Sequence, residues 1–162
     1  MIKEKLQQDI KEALKAGDAS KRLCLSMIMN AIKNRELEKR TKLSKTEKDA
    51  SKLEKESELN DEEIIEVIGS EVKKRKESME SYEKGGRPEL AQKEKEELDI
   101  LMDYMPKQMS EDEVREEVKK VIQEIGASGA KDMGKVIGAV MAKVKGKADG
   151  QTVSKFVKEE LS

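Results

Sequence analysis

The chain has 162 residues, 43% of them charged, 35% hydrophobic and 2% aromatic, which allows one ordinary domain or two small ones and excludes a large aromatic-centred core. Lys and Arg (34) nearly cancel Asp and Glu (35), so the charges read as solvated helix faces rather than as the unbalanced charge of a disordered chain. No run of about 18 apolar residues and no charged-then-apolar leader is read in it, which predicts a cytoplasmic protein with no membrane partner. Its single cysteine, Cys24, lies between Leu23 and Leu25 and reads as a small core residue.

The punctuation divides the chain into helices, and the fold class expected is all-α. Leu6, Ile10, Ala13 and Leu14 recur at helical spacing over 2–16, with Gly17 placed for a left-handed cap. Asp18 opens a second helix, with Leu23, Met27, Ala31 and Ile32 along its expected inner side, ending near Arg40. From Thr41 to Leu59 apolar residues are sparse, which fits a frayed helical extension or a loop. Asn60 and Glu63 have capping-box spacing for a third helix through Ile64, Ile65, Ile68, Val72, Met79 and Tyr82 to Gly85–Gly86.

Pro88 fits the first turn of the next helix, whose polar middle, Gln92 to Glu97, reads as a spacer. Pro106 closes it, and Ser110 with Glu113 repeats the capping-box spacing before Val114, Val118, Val121, Ile122 and Ile125. Thr152, Val153, Phe156, Val157 and Leu161 mark a closing helix. The resulting expectation is two small three-helix domains joined by a partly helical linker: 1–87, with a charged insertion at about 45–59, a linker over 88–105, and 106–162.

The window Gly126–Gly150 breaks with the rest of the composition. It contains no Glu, holds six of the ten glycines, and has five lysines against Asp132 and Asp149. Met133, Val136, Ile137, Val140, Met141 and Val144 form one continuous helical face and so read as core. The other side carries Gly134, Lys135, Gly138, Ala139 and Ala142. Glycine inside a helix costs about 1 kcal/mol relative to alanine, so two of them four apart imply a compensating close approach. Two alternatives fit: a neighbouring helix packed on the Gly134/Gly138 ridge, or a polyanion backbone lying across it. In the second case Lys131, Lys135, Gly138, Lys143, Lys145, Gly146 and Lys147 form the candidate nucleic-acid site, with KGKADG as a flexible cationic loop. Ser128 reads as an N-cap for this helix.

The sequence DMGKVIGAVMAKVKGKADG at 132–150 closely resembles the YqeY family, free-standing relatives of the C-terminal tail of the B subunit of glutamine-dependent aspartyl/glutamyl-tRNA amidotransferase. So does the upstream stretch 73–114, where Arg75, Ser78, Tyr82, Arg87, Leu90, Glu94, Pro106 and Gln108 fit the family pattern. The resemblance covers nearly the whole chain. Two departures are Ala142, where the family usually has proline, and the inserted run at about Lys45–Leu59. The resemblance implies two three-helix domains, contact with the body of tRNA, and amidotransferase or aminoacyl-tRNA synthetase components as further partners. It also implies a carbon–nitrogen ligase activity with glutamine as amido-nitrogen donor, chemistry that belongs to other parts of the larger enzyme.

The residue inventory points to binding rather than catalysis. The chain has no histidine, and Cys24 has no base beside it in the sequence. GASGAK at 126–131 follows a helix and lacks the spacing and Ser/Thr of a phosphate loop. The acid clusters Asp61-Glu62-Glu63 and Glu94-Glu96-Glu97 diverge around helix axes and read as dipole partners or solvated faces. No catalytic residue, metal ligand or cofactor is therefore assigned. The scarcity of aromatics disfavours base stacking, which leaves backbone contact to folded RNA; DNA is not expected. The alternative function is a helical protein–protein interaction module.

Overall fold

The computed structural model describes residues Met1–Ser162, and every regular element in it is helical. Eight α-helices run in the order α1 (Ile2–Ala16), α2 (Ala19–Leu43), α3 (Ala50–Ser57), α4 (Asp61–Lys84), α5 (Pro88–Met102), α6 (Glu111–Ile125), α7 (Met133–Lys143) and α8 (Gly150–Glu160). They group into two compact units, Met1–Tyr104 and Met105–Ser162.

Local chemistry sets the helix ends. Gly17 stops α1 at φ 71°, a left-handed conformation that glycine adopts without a Cβ clash, and Asp18 starts α2 by accepting the Lys21 N–H. Asn60 with Glu63 and Ser110 with Glu113 form reciprocal capping boxes on α4 and α6. Pro88 occupies the first turn of α5, where its missing N–H is no loss.

The first unit is built around Leu6, Leu25, Ile28, Ile32, Ile64, Ile68 and Leu101, all fully buried. Two readings of the sequence change here. The inner face of α2 is Cys24, Leu25, Ile28, Met29 and Ile32, whereas Leu23 and Met27 are 58% and 49% exposed. Apolar residues lie on both sides of this helix, so periodicity alone does not say which side is core. The stretch expected to be a spacer is also a packed element. Helix α5 lies along α4 and also meets α2, so the first unit contains five helices. Its polar middle has a partner that sequence spacing does not reveal. Arg75 on α4, only 5% exposed, holds Glu97 of α5 and Glu71 of its own helix at 3.1 Å each. Within the inserted run, Ala50–Ser57 folds as α3, capped by Asp49 and packed on α2.

The second unit is α6, α7 and α8 around Val114, Val118, Val121, Val136, Val140, Val144, Val153, Phe156 and Val157. Eight valines and one Phe make a small core of short side chains. Arg115 stacks over the Phe156 ring at 4.4 Å while its guanidinium pairs with Glu159 and Glu160, which ties α6 to α8.

Candidate nucleic-acid interface

Helix α7 positions the candidate surface. Val136, Val140 and Val144 are buried, with Met133, Ile137 and Met141 partly buried beside them, so the apolar stripe is core as its spacing predicts. Rotating about 180° around the axis brings Gly134, Lys135, Gly138 and Ala142 to the outside, and all four are exposed. A methyl group built on Gly134 or Gly138 meets nothing within 4 Å. The explanation of the glycine ridge by a neighbouring helix is therefore corrected: none packs there. The other alternative, a face left open for something outside the chain, keeps its geometric basis.

The candidate lysines separate into groups. Lys131, in the 3-10 turn Ala130–Asp132, and Lys135, in the first turn of α7, are exposed at the N-terminal end of the small face and form no ion pair within the chain. Lys143, at the end of α7, turns the other way. It holds Glu124 at 2.6 Å and Glu117 at 3.5 Å on α6, and the hydrogen bond to Glu124 raises its pKa. This lysine cross-links α6 to α7, so it is not a free cation of the small face. Lys145 and Lys147 are exposed just past the helix end.

The loop that carries them is pinned. Gly146 has φ 72°, and its carbonyl accepts the Gln108 side-chain amide at 2.8 Å. Lys147 receives the Met109 N–H on its carbonyl and gives its own N–H to Val144, at 2.8 and 2.7 Å. The loop expected to be flexible thus has a fixed backbone, because the segment just after Pro106 lies against it. Gln108 also donates to the Pro106 carbonyl, so one side chain holds both strands of the junction. Spacing alone does not reveal this role, although Pro106 and Gln108 stand among the residues that carry the family pattern. Ser128 is not an N-cap. Asp132 precedes α7, and its carboxylate accepts the Ser128 N–H, which folds the entry turn back on itself.

In the first unit several ionisable groups are committed to structure. Asp61 accepts the Ile2 N–H, and Glu63 closes its capping box while holding Lys39 at 2.8 Å. Burial pushes the Cys24 thiol pKa up, and its sulfur donates to the Glu97 carbonyl at 3.8 Å. A thiol in that state is a poor nucleophile. Tyr104, buried against Asp9, has its phenol shifted up by burial and by its hydrogen bond to that carboxylate.

Fold and surface together define an all-helical protein whose second unit presents a small-residue face beside lysines, on a helix held from behind by a valine core. The chain belongs to the YqeY family: the family model described as Yqey-like protein matches residues 3–161. A protein of Eremothecium gossypii, named Altered inheritance of mitochondria protein 41, mitochondrial, is 29% identical over 100 residues. That alignment covers 62% of this chain and 46% of the fungal protein, so the match spans less than half of that relative's length. No helix is long and apolar enough to cross a membrane.

Proposed function

We propose that this protein is a tRNA-binding or adaptor module without catalysis of its own, and that the small face of α7 is where RNA docks. One observation carries the reading: Gly134, Gly138 and Ala142 form an open ridge with no neighbour, beside Lys131 and Lys135, which no acid of the chain neutralises. A ridge without side chains lets a sugar–phosphate backbone approach the helix closely, and the lysines then reach its phosphates as point charges. Lys145 and Lys147 extend the positive surface from a backbone fixed by Gln108 and Met109. Such a surface reads shape and phosphate spacing rather than base sequence, the usual mode for double-helical RNA. The resemblance to the tail of a tRNA amidotransferase makes tRNA the RNA to test, with amidotransferase or synthetase components as companions in an adaptor role. Amide transfer from glutamine would belong to those companions. We place this action in the cytoplasm; the fungal relative's name refers to mitochondria, so cell fractionation is the check.

Titration of labelled bulk tRNA at low salt tests the proposal. Binding is expected, and Lys131→Glu with Lys135→Glu is expected to weaken it at least tenfold while leaving the helical signal unchanged. A protein that shows no binding at low salt would exclude RNA docking. The same open ridge supports a second reading, in which a partner helix packs on Gly134 and Gly138. There, Gly138→Leu removes binding of the protein partner, while the lysine changes have little effect.

A further inference from the structure

Helix α2 carries a second unpartnered surface, in the first unit and independent of the RNA reading. Its buried side is centred on Ile32. On the opposite side Leu23, Met27, Asn30, Asn34, Leu37 and Thr41 follow one another at steps of four and three residues, and all are exposed. At about 100° per residue these six positions fall within roughly 40° of a single line along the helix. In a chain that is 43% charged, this line over more than five turns contains no charged residue. Of the five large hydrophobic side chains exposed in the chain, three, Leu23, Met27 and Leu37, lie on this one line, a grouping rather than a scatter.

Alternating four- and three-residue steps are the signature of a seam between two supercoiled helices. Leu23, Asn30 and Leu37 then hold one core position of the repeat, and Met27, Asn34 and Thr41 the other. The flanking positions identify the occupant. Lys33 borders the seam on one side and Glu38 on the other, five residues on. In two parallel, in-register helices this spacing places Lys33 of each beside Glu38 of the other, giving two equivalent pairs about a twofold axis. An antiparallel arrangement sets Lys33 and Arg40 of one helix against the same side of the other and is repulsive. Lys33 and Arg40 have no acid partner within the chain, and Glu38 holds only the exposed Arg35 at 3.1 Å. Asn34, at the core position that tolerates a polar pair, fixes register, because an asparagine opposite an apolar side chain leaves its amide unsatisfied.

We propose that this face binds a second copy of the same chain, through parallel pairing of the two α2 helices along Leu23–Thr41. The seam is short and half polar, so the dimer belongs to the weak, concentration-dependent class.

Sedimentation equilibrium of the full chain at up to about 1 mM reads this directly. The mass is expected to rise from 18.3 kDa toward twice that value. Met27→Lys, an exposed change that leaves the fold intact, is expected to remain monomeric at every concentration. Lys33→Glu and Glu38→Lys should each weaken association about tenfold, and combining them in one chain should restore it. Asn34→Cys, treated with oxidised glutathione, should form a covalent dimer, since parallel in-register pairing brings the two introduced thiols together while Cys24 stays buried. A wild type that is monomeric throughout overturns the proposal. So does a dimer that Met27→Lys leaves unchanged, or one that Asn34→Cys fails to cross-link.

Discussion

Arg75 shows how a single side chain can decide the reading of a whole segment. Its guanidinium, 5% exposed, lies between Glu71 and Glu97, so removing it leaves two carboxylates together in a partly buried site. Arg75→Ala is expected to destabilise the first unit by about 3–5 kcal/mol, measured by urea unfolding. Burial pushes the Glu71 pKa up, but the hydrogen bonds from Lys74 and Arg75 more than reverse that and leave it lowered. Glu63 is also lowered, chiefly by its hydrogen bond from Lys39. A carboxylate with a depressed folded pKa stabilises the fold above its unfolded value, near 4.5, and that contribution is lost as pH falls through the folded value. Lys39→Met is therefore expected to lower the midpoint of thermal unfolding at pH 7, and that effect is expected to shrink as pH falls through the folded value of Glu63. Cys24 should remain unreactive toward a thiol reagent until the first unit unfolds. Its burial fits its apolar neighbour Leu25, but its place beside the Arg75 cluster is not legible, because Glu71, Arg75 and Glu97 come from α4 and α5, 47 and more residues along the chain.

Among the helices, legibility follows how one-sided each pattern is. Helices α6 and α7 each have a single apolar stripe, so spacing alone identifies their core faces, and α6 has a clear capping box as well. Helix α2 has two apolar sides, and the visible set Leu23, Met27, Ala31 and Ile32 mixes residues from both; only the packing of α1, α4 and α5 shows which side is inside. Helix α5 has a polar middle because an ion pair, not an apolar contact, attaches it there. For α7 the open surroundings of Gly138 separate stability from binding. Gly138→Ala meets no neighbour and relieves the entropy cost of glycine in a helix, so it is expected to stabilise the second unit by about 0.5–1 kcal/mol. If RNA lies against the ridge, the same substitution weakens its binding, an opposite pair of effects that a purely structural glycine would not give. Gln108→Ala releases Gly146 and the adjoining lysines, and is expected to raise hydrogen exchange in the loop following α7 while α6 stays protected.

At the scale of the molecule, composition and caps are enough to predict an all-helical chain, and α5, which reads as a spacer from its polar middle, lies within the unit Met1–Tyr104. The candidate surface was legible in part. Its glycines, Lys131 and Lys135 lie where the sequence reading placed them, whereas Lys143 is taken by Glu117 and Glu124 on α6, acids whose proximity depends on how α6 and α7 cross. The central claim, that the second unit docks on RNA through phosphate contacts, is tested most directly by the salt dependence of tRNA affinity. The logarithm of the association constant is expected to fall linearly with the logarithm of salt concentration, and Lys135→Glu to make that slope shallower by about one contact. The same slope in the wild type and in a Lys131→Glu, Lys135→Glu, Lys147→Glu variant would contradict the account.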